Sequence, residues 1–493
     1  MRLPGETVIA RIQYKYLVAI VFIFGMFMDL MDSTVVNVAV PDLAREFHSS
    51  TSAVEWTITG YLLSLAVFIP AAGFLSDRFG TKRAFLTAML IFIAASALCG
   101  QARSLDQLIF FRFLQGMGGG MMTPVGTAML SREFPGAERA KASAIISVPI
   151  ILAPALGPVI GGYLVEYVSW RWIFYINLPV GIAGFLFGLK YLTEHKEAYA
   201  KEGFDVLGMI LGGGAAAMVL YALSEAATAG WGDSRVVGFG LGGIIAGALF
   251  TFVELRAHPP LIDLTLLKRP LFSLGNGMVM PAFAIFGGAA FVLTLFLQEF
   301  QGRSPFEAGL IQGPAAIGTA LVIPFASRLY TKMGPRRMLL MGFSLSFIVL
   351  VPFGFVGATT PAWVIVVLLL LRSLPFSFAM VAAQTIIYGP LENSKQGPAS
   401  SLYNTLRQVA GSFGVALLAT ILLTRTHAHA VAGVASSHAI QSAYQDTFFL
   451  TAAFMLIPLA LALFINDRKT NEALEGRHVG SGSPGQPVAV IAD

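Results

Sequence analysis

Apolar stretches of about 20 residues, each long enough to cross a bilayer as a helix, recur from Tyr16 to Ile465 with short polar breaks between them. In hydrocarbon the backbone must satisfy its own hydrogen bonds, so runs of this length are predicted to be membrane-spanning helices. About fourteen spans are expected. They begin near Tyr16, Trp56, Ala84, Asp106, Lys141, Trp170, Val206, Arg235, Phe272, Phe306, Met338, Trp363, Ala399 and Asp446, with the seventh and eighth the least well marked. Composition agrees: 56% of residues are hydrophobic and 12% charged, about half the charge of a soluble domain. The fold class is therefore an all-α integral membrane protein.

The charges orient it. Of 32 Lys and Arg, six (Arg45, Arg103, Arg171, Arg235, Arg303, Arg425) fall in the breaks on one side, and three (Arg112, Arg372, Arg407) fall within spans. The other side, with both termini, holds the remaining 23. Lys and Arg gather on the cytoplasmic face, so both termini are expected there and the number of spans is even. The net charge of +5 reflects this topology, and no basic run points to nucleic acid. A single cysteine, Cys99, excludes an internal disulfide. The first apolar run is too long for a signal peptide and lacks a small-residue cleavage site, so it is expected to be retained.

Two polar loops, GFLSDRFGTKR (Gly73 to Arg83) and SRLYTKMGPRR (Ser327 to Arg337), share a pattern when Gly80 is set against Gly334. Leu75 then matches Leu329, Lys82 matches Arg336 and Arg83 matches Arg337. Each loop joins the second and third spans of a six-span unit, which predicts a parallel internal repeat of the kind transporters use. The expected organisation is a six-helix bundle over 16–191, a linker with two extra spans over 192–269, and a second bundle over 270–466. A polar Gly, Ser and Pro-rich tail over 467–493 is expected to be disordered.

Ala153 to Gly162, APALGPVIGG, places two prolines and three glycines inside one span. Prolines remove donors and clash with the preceding turn, and glycines let a neighbouring helix approach closely, so a kinked, tightly packed span is expected, bent near Pro154 to Pro158. The first span holds Asp29 and Asp32, three residues apart and so on one helical face. Burial and mutual repulsion favour the protonated form, and an intramembrane acid is by default a functional candidate. Met26, Met28 and Met31 surround these acids, and Trp56 and Tyr61 open the second span; thioethers and aromatic faces suit a pocket that accepts several shapes. Gln298 is a further polar candidate for that pocket. Arg112 in FRFLQGMGGG and Arg407 in NTLRQVAGSFG lie inside apolar runs, and a buried guanidinium needs a partner. No Walker loop, HExxH or paired cysteine is present, and His427 and His429 read as solvated loop residues.

GFLSDRFGTKR, FRFLQGMGGG and APALGPVIGG, in this order and at these spans, resemble the loop motif, the fourth-span arginine motif and the fifth-span antiporter motif of the major facilitator superfamily. LMDSTVVNVAVP, WRWIFYINLPVG and ASSLYNTLRQVAGSFG resemble its fourteen-span drug:proton antiporter branch. The resemblance implies two six-helix bundles with two inserted helices, working as a proton-driven exporter by alternating access. No enzyme activity and no cofactor is implied, only a proton gradient. It makes Asp32 the proton-linked acid with Asp29 beside it, Arg112 the coupling partner, and Pro154, Gly157, Pro158 and Gly161 the hinge of the fifth span. Gly73, Asp77, Arg78, Gly80, Lys82 and Arg83 become a cytoplasmic gate, with Asp77 meeting the start of the thirteenth span at 397–401. Trp56, Tyr61, Met31, Gln298 and Arg407 are the candidate cavity residues. The implied partners are small amphipathic drugs or dyes, monovalent cations above all, with protons and the lipid bilayer, around a monomer in the cell membrane. A narrower exporter of a lipid or metabolite is the alternative reading, and a receptor or scaffold the remote one. The second loop departs from the pattern, with Thr331 where the first has Asp77, and the tenth span lacks the inner acid of relatives that export divalent cations.

Overall fold

The computed structural model describes residues 13–134, 139–195, 203–257, 260–431 and 436–467. Among these residues the chain is helix and short connections, without a strand. Fourteen helical rods follow one another: α1 Tyr14–Glu46, α2 Thr51–Phe79, α3 Thr81–Gly100, α4 Leu105–Glu133, α5 Arg139–Tyr167, α6 Trp172–Tyr191, α7 Val206–Ala229, α8 Ser234–Glu254, α9 Pro270–Phe300, α10 Pro305–Met333, α11 Pro335–Phe355, α12 Ala362–Tyr388, α13 Asn393–Val431 and α14 His438–Ala462. Eleven are long and apolar enough to cross a membrane. The other three, α4, α5 and α10, are 29 residues each, about 44 Å at the helical rise, and they carry much of the glycine and the polar character.

Two rods start earlier than the apolar pattern indicates. α13 begins at Asn393 instead of Ala399, and α14 at His438 instead of Asp446. The early start of α14 is polar helix that pairs with the end of α13: His429 Nε2 lies 3.0 Å from Asp446 Oδ2, and Arg425 3.8 Å from the same oxygen. His429 is therefore a helical residue with an acid partner, not a solvated loop residue. The segment around Pro154 and Pro158, expected to depart from an ordinary helix, remains helical throughout α5.

The repeat written in the two loops extends into structure that the loops do not encode. Gly80 (φ 94°) and Gly334 (φ 77°) adopt the left-handed backbone that favours glycine, immediately before α3 and α11. Beyond α6, Glu194 accepts from the backbone N–H groups of Lys82 (3.0 Å) and Arg83 (3.2 Å). Beyond α14, Asp467 accepts from the N–H of Arg336 at 2.9 Å. Each carboxylate meets the positive end of a helix dipole, so the third rod of each half is capped from behind the sixth. The extra pair α7 and α8 lies on the outside. Tyr221 of α7 stacks against Trp56 of α2 at 6.5 Å, and Thr420 of α13 donates to the carbonyl of Leu223 at 2.9 Å. Leu241, Ile244 and Ile245 of α8 are exposed, as a lipid-facing helix requires.

The halves meet where α5 packs on α10 and α2 on α13. At one end they are tied by hydrogen bonds: Gln298 Nε2 donates to Val38 O at 2.8 Å and the Phe306 N–H to Glu166 at 3.1 Å. At the opposite end Gly73 and Gly397 are exposed, with open space beside each.

Candidate proton-coupling site

Five rods of the first half converge on Asp32, which is fully buried. Its Oδ2 pairs with Arg112 of α4, while Oδ1 accepts from Gln115 Nε2 (2.8 Å) and Asn177 Nδ2 of α6 (2.9 Å). Ser96 of α3 accepts from the same Gln115 nitrogen at 2.6 Å, and Arg112 Nε donates to the Thr57 carbonyl of α2 at 2.9 Å. A buried ion pair survives desolvation only when its remaining hydrogen bonds are made, and these are.

Asp29 sits differently. It is 8% exposed, accepts from Tyr61 OH at 2.6 Å, and has Thr123 Oγ1 at 3.4 Å. Tyr61 links the two acids, since its ring lies under the Arg112 guanidinium, 4.0 Å from the centroid. Asp29, Tyr61, Arg112 and Asp32 thus form one continuous polar path through an apolar bundle. Removing the tyrosine hydroxyl breaks the first link. Tyr61→Phe is expected to leave the Asp32 and Arg112 pair intact, to cost about 1 to 3 kcal/mol at Asp29, and to shift the pH optimum of transport. A pH profile that superimposes on the wild type would count against the link.

The other sequence candidates separate. Trp56 is half-buried and rests against Tyr221 of α7, ring centroids 6.5 Å apart, and against a cluster that includes Leu63 of α2 and Ala416 of α13. Met31 is buried and its carbonyl accepts from Thr34 at 2.9 Å. Gln298, in a π turn at the end of α9, donates to the Val38 carbonyl of α1 across the two halves. Arg407 is half-buried over the Phe283 ring at 5.4 Å. Lys82 Nζ donates to the carbonyls of Leu189 (2.9 Å) and Leu192 (2.6 Å), and Arg83 lies 3.7 Å from Glu194, so both side chains hold the end of α6 in their own half. Asp77 is half-buried at the end of α2, and Arg78 is exposed. Gly157 and Gly161 are buried against α1: a Cβ on Gly161 would stand 2.9 Å from the Val35 carbonyl, and one on Gly157 2.0 Å from Thr34 Oγ1. Pro158 faces α10, its carbonyl 2.1 Å from where a Cβ on Gly309 would be. Pro154 is half-buried on the same rod.

Gln115, Asn177 and Ser96 were missed. Gln115 had a signal, standing three residues after Arg112 on the same helical face. Asn177 is an amide in an otherwise apolar stretch, and Ser96 carries no mark that sets it apart from any membrane serine.

A sequence profile of the Major Facilitator Superfamily matches residues 22–415. The chain belongs to this superfamily. The tetracenomycin C resistance and export protein of Streptomyces glaucescens is 34% identical over 402 residues, covering 81% of this chain and 74% of the relative. Lincomycin resistance protein LmrB of Listeria monocytogenes is 32% identical, over 91% of this chain and 96% of its own. Among solved structures, a bacterial homologue of the human lysosomal transporter Spinster, crystallised inward-facing and unoccupied, superposes with a TM-score of 0.65 at 17% identity, covering 96% of this chain and 99% of that one. That likeness speaks to the fold. In this facilitator, the arginine motif supplies Arg112 and Gln115, and the antiporter motif supplies the glycines that let α5 lie on α1.

Proposed function

We propose that the protein is a proton-coupled exporter of amphipathic small molecules, working by alternating access in the cell membrane, as a monomer with both termini in the cytoplasm. The observation that carries this reading is the path Asp29, Tyr61, Arg112, Asp32: titratable and charged groups placed inside a membrane bundle, with one end at a half-bundle interface. A proton reaching Asp29 withdraws the acceptor of the Tyr61 hydroxyl and alters the surroundings of Arg112. Loss of the Asp32 charge would leave Arg112 without its counter-charge, held by the Thr57 carbonyl and Gln115. Either event changes the charge that α1 presents to the rest of the bundle, and substrate and proton compete for that change. Each inward proton brings about 2.3 kcal/mol per 100 mV of membrane potential, enough for about a 50-fold concentration ratio. The antibiotic-resistance relatives support export as the direction. Substrate-dependent proton release from purified protein in liposomes tests it, and substrate movement indifferent to the pH gradient would remove the coupling.

The closed outer end and the open space beside Gly73 and Gly397 support an inward-facing arrangement. Asp77 then serves as the latch of the opposite state, meeting the N-terminal end of α13 near 397–401. Asp77→Ala is predicted to hold the protein inward-facing. A contact at a helix terminus is worth about 0.3 to 2 kcal/mol, up to about thirtyfold in a balanced equilibrium. The variant should fold and bind substrate yet transport poorly. Spin-label distances between the cytoplasmic ends of α2 and α13 decide it, and an unchanged distribution sinks the latch.

A further inference from the structure

The second half carries two intramembrane arginines that the polar path does not use. Arg372 of α12 and Arg407 of α13 have no carboxylate or carbonyl partner among the described residues. What they touch is aromatic. Arg372 lies 5.1 Å from the Phe286 centroid and Arg407 5.4 Å from that of Phe283. Phe286 stacks on Phe376 at 4.9 Å and 19°, and Phe283 meets the same ring edge-on at 5.8 Å. Three rings from α9 and α12 thus form one surface with a cation at each end, and Phe286 is 39% exposed.

Beside Arg372 a small cavity is lined by Phe286, Phe376 and Ser346 of α11. The Ser346 hydroxyl is 1% exposed and makes no hydrogen bond. In the first half the fourth rod's Arg112 is matched by an acid on the first rod. In the second half the space beside the fourth rod's Arg372 is lined by Ala282, Ile285 and Ala289 of α9, whose side chains cannot accept, and by Thr451 of α14, whose hydroxyl donates to the Thr447 carbonyl at 2.6 Å. A guanidinium and a hydroxyl without acceptors in an apolar wall are both satisfied by one anion, which takes two bonds from the guanidinium fork and a third from the serine. The rings hold the rest of such a ligand by stacking. A cationic ligand would instead face two like charges.

We propose that this surface binds aromatic amphiphiles carrying a carboxylate or sulfonate, with Arg372 and Ser346 holding the acid and Phe286 and Phe376 the ring. The inference rests on the exporter reading for its purpose and departs from the preference for monovalent cations. An anionic lipid headgroup offers the same chemistry, so the test separates the two. Two dyes on one xanthene frame, anionic fluorescein and cationic rhodamine 6G, are titrated by fluorescence anisotropy against the full-length protein in phosphatidylcholine nanodiscs. Fluorescein is expected to bind, Arg372→Gln to weaken it about tenfold or more with rhodamine 6G unaffected, and Arg372→Lys to recover part of the loss. Added phosphatidylglycerol should leave fluorescein affinity unchanged. Absence of fluorescein binding, equal loss for both dyes in Arg372→Gln, or displacement of fluorescein by phosphatidylglycerol would each overturn the proposal. Proton-driven transport in vesicles keeps the two readings apart: export of rhodamine 6G alone leaves the exporter standing without this site, and fluorescein binding without export of either dye does the reverse.

Discussion

Asp32→Asn is expected to abolish proton-coupled export, and Arg112→Gln added to it is expected to restore stability without restoring transport. Among the described residues Asp32 is the one carboxylate paired with a guanidinium that is 1% exposed. Asparagine keeps the size and part of the hydrogen bonding but leaves Arg112 charged and unpaired, which costs about 3 to 5 kcal/mol, whereas removing both charges is often close to neutral. Thermal unfolding in detergent should therefore rank wild type and the double variant above Asp32→Asn. Proton release in liposomes should be lost in both variants. Asp29→Asn, whose acid is held by a tyrosine and a threonine, should be milder and move the pH optimum or the substrate range. Wild-type export by Asp32→Asn together with inactive Asp29→Asn would reverse the assignment.

Gly161→Leu is expected to reduce transport severely while the protein still inserts and accumulates. A Cβ at this position meets the Val35 side chain at 2.6 Å and the Val35 carbonyl at 2.9 Å, and a backbone carbonyl cannot rotate away. Overpacking of this kind costs about 1 to 3 kcal/mol, and α1, which would have to move, is the rod that carries both acids. A displacement of that rod misplaces Asp32 against Arg112, and a barrier raised by the same amount slows turnover about fivefold to more than a hundredfold. Gly157→Leu should be the milder of the two, since its first obstacle is the Thr34 hydroxyl, a side-chain atom that can turn. Transport rates normalised to protein in the membrane test the order. Normal rates in both variants would falsify the view that α5 must lie tightly on α1.

The rods, their order and the loop repeat were legible because hydrophobic run length and the positive-φ glycines are local properties. Gly80 and Gly334 announce themselves in sequence, whereas Glu194 and Asp467, which cap the helices those glycines begin, sit more than a hundred residues away and look like ordinary linker acids. Cavity residues were the least legible. Trp56 has the character of a binding-site aromatic, yet its neighbours, Tyr221 of α7 among them, are set by where the inserted helices dock. Gln298 stands out as polar in an apolar rod, but its partner is a carbonyl on α1, set by how the halves meet.

The sequence by itself determined that the chain is a bundle of membrane helices, that two acids and an arginine lie within it, and that α5 can be approached closely, because charge in hydrocarbon and missing side chains are visible one residue at a time. Only the tertiary structure decided that Asp32 is enclosed by Arg112, Gln115 and Asn177 while Asp29 stands beside Tyr61, and that among the described residues Arg112 has an acid partner and Arg372 does not. Those outcomes depend on which rods lie side by side. A buried charge states its need for a partner in the sequence, but the partner is chosen by packing.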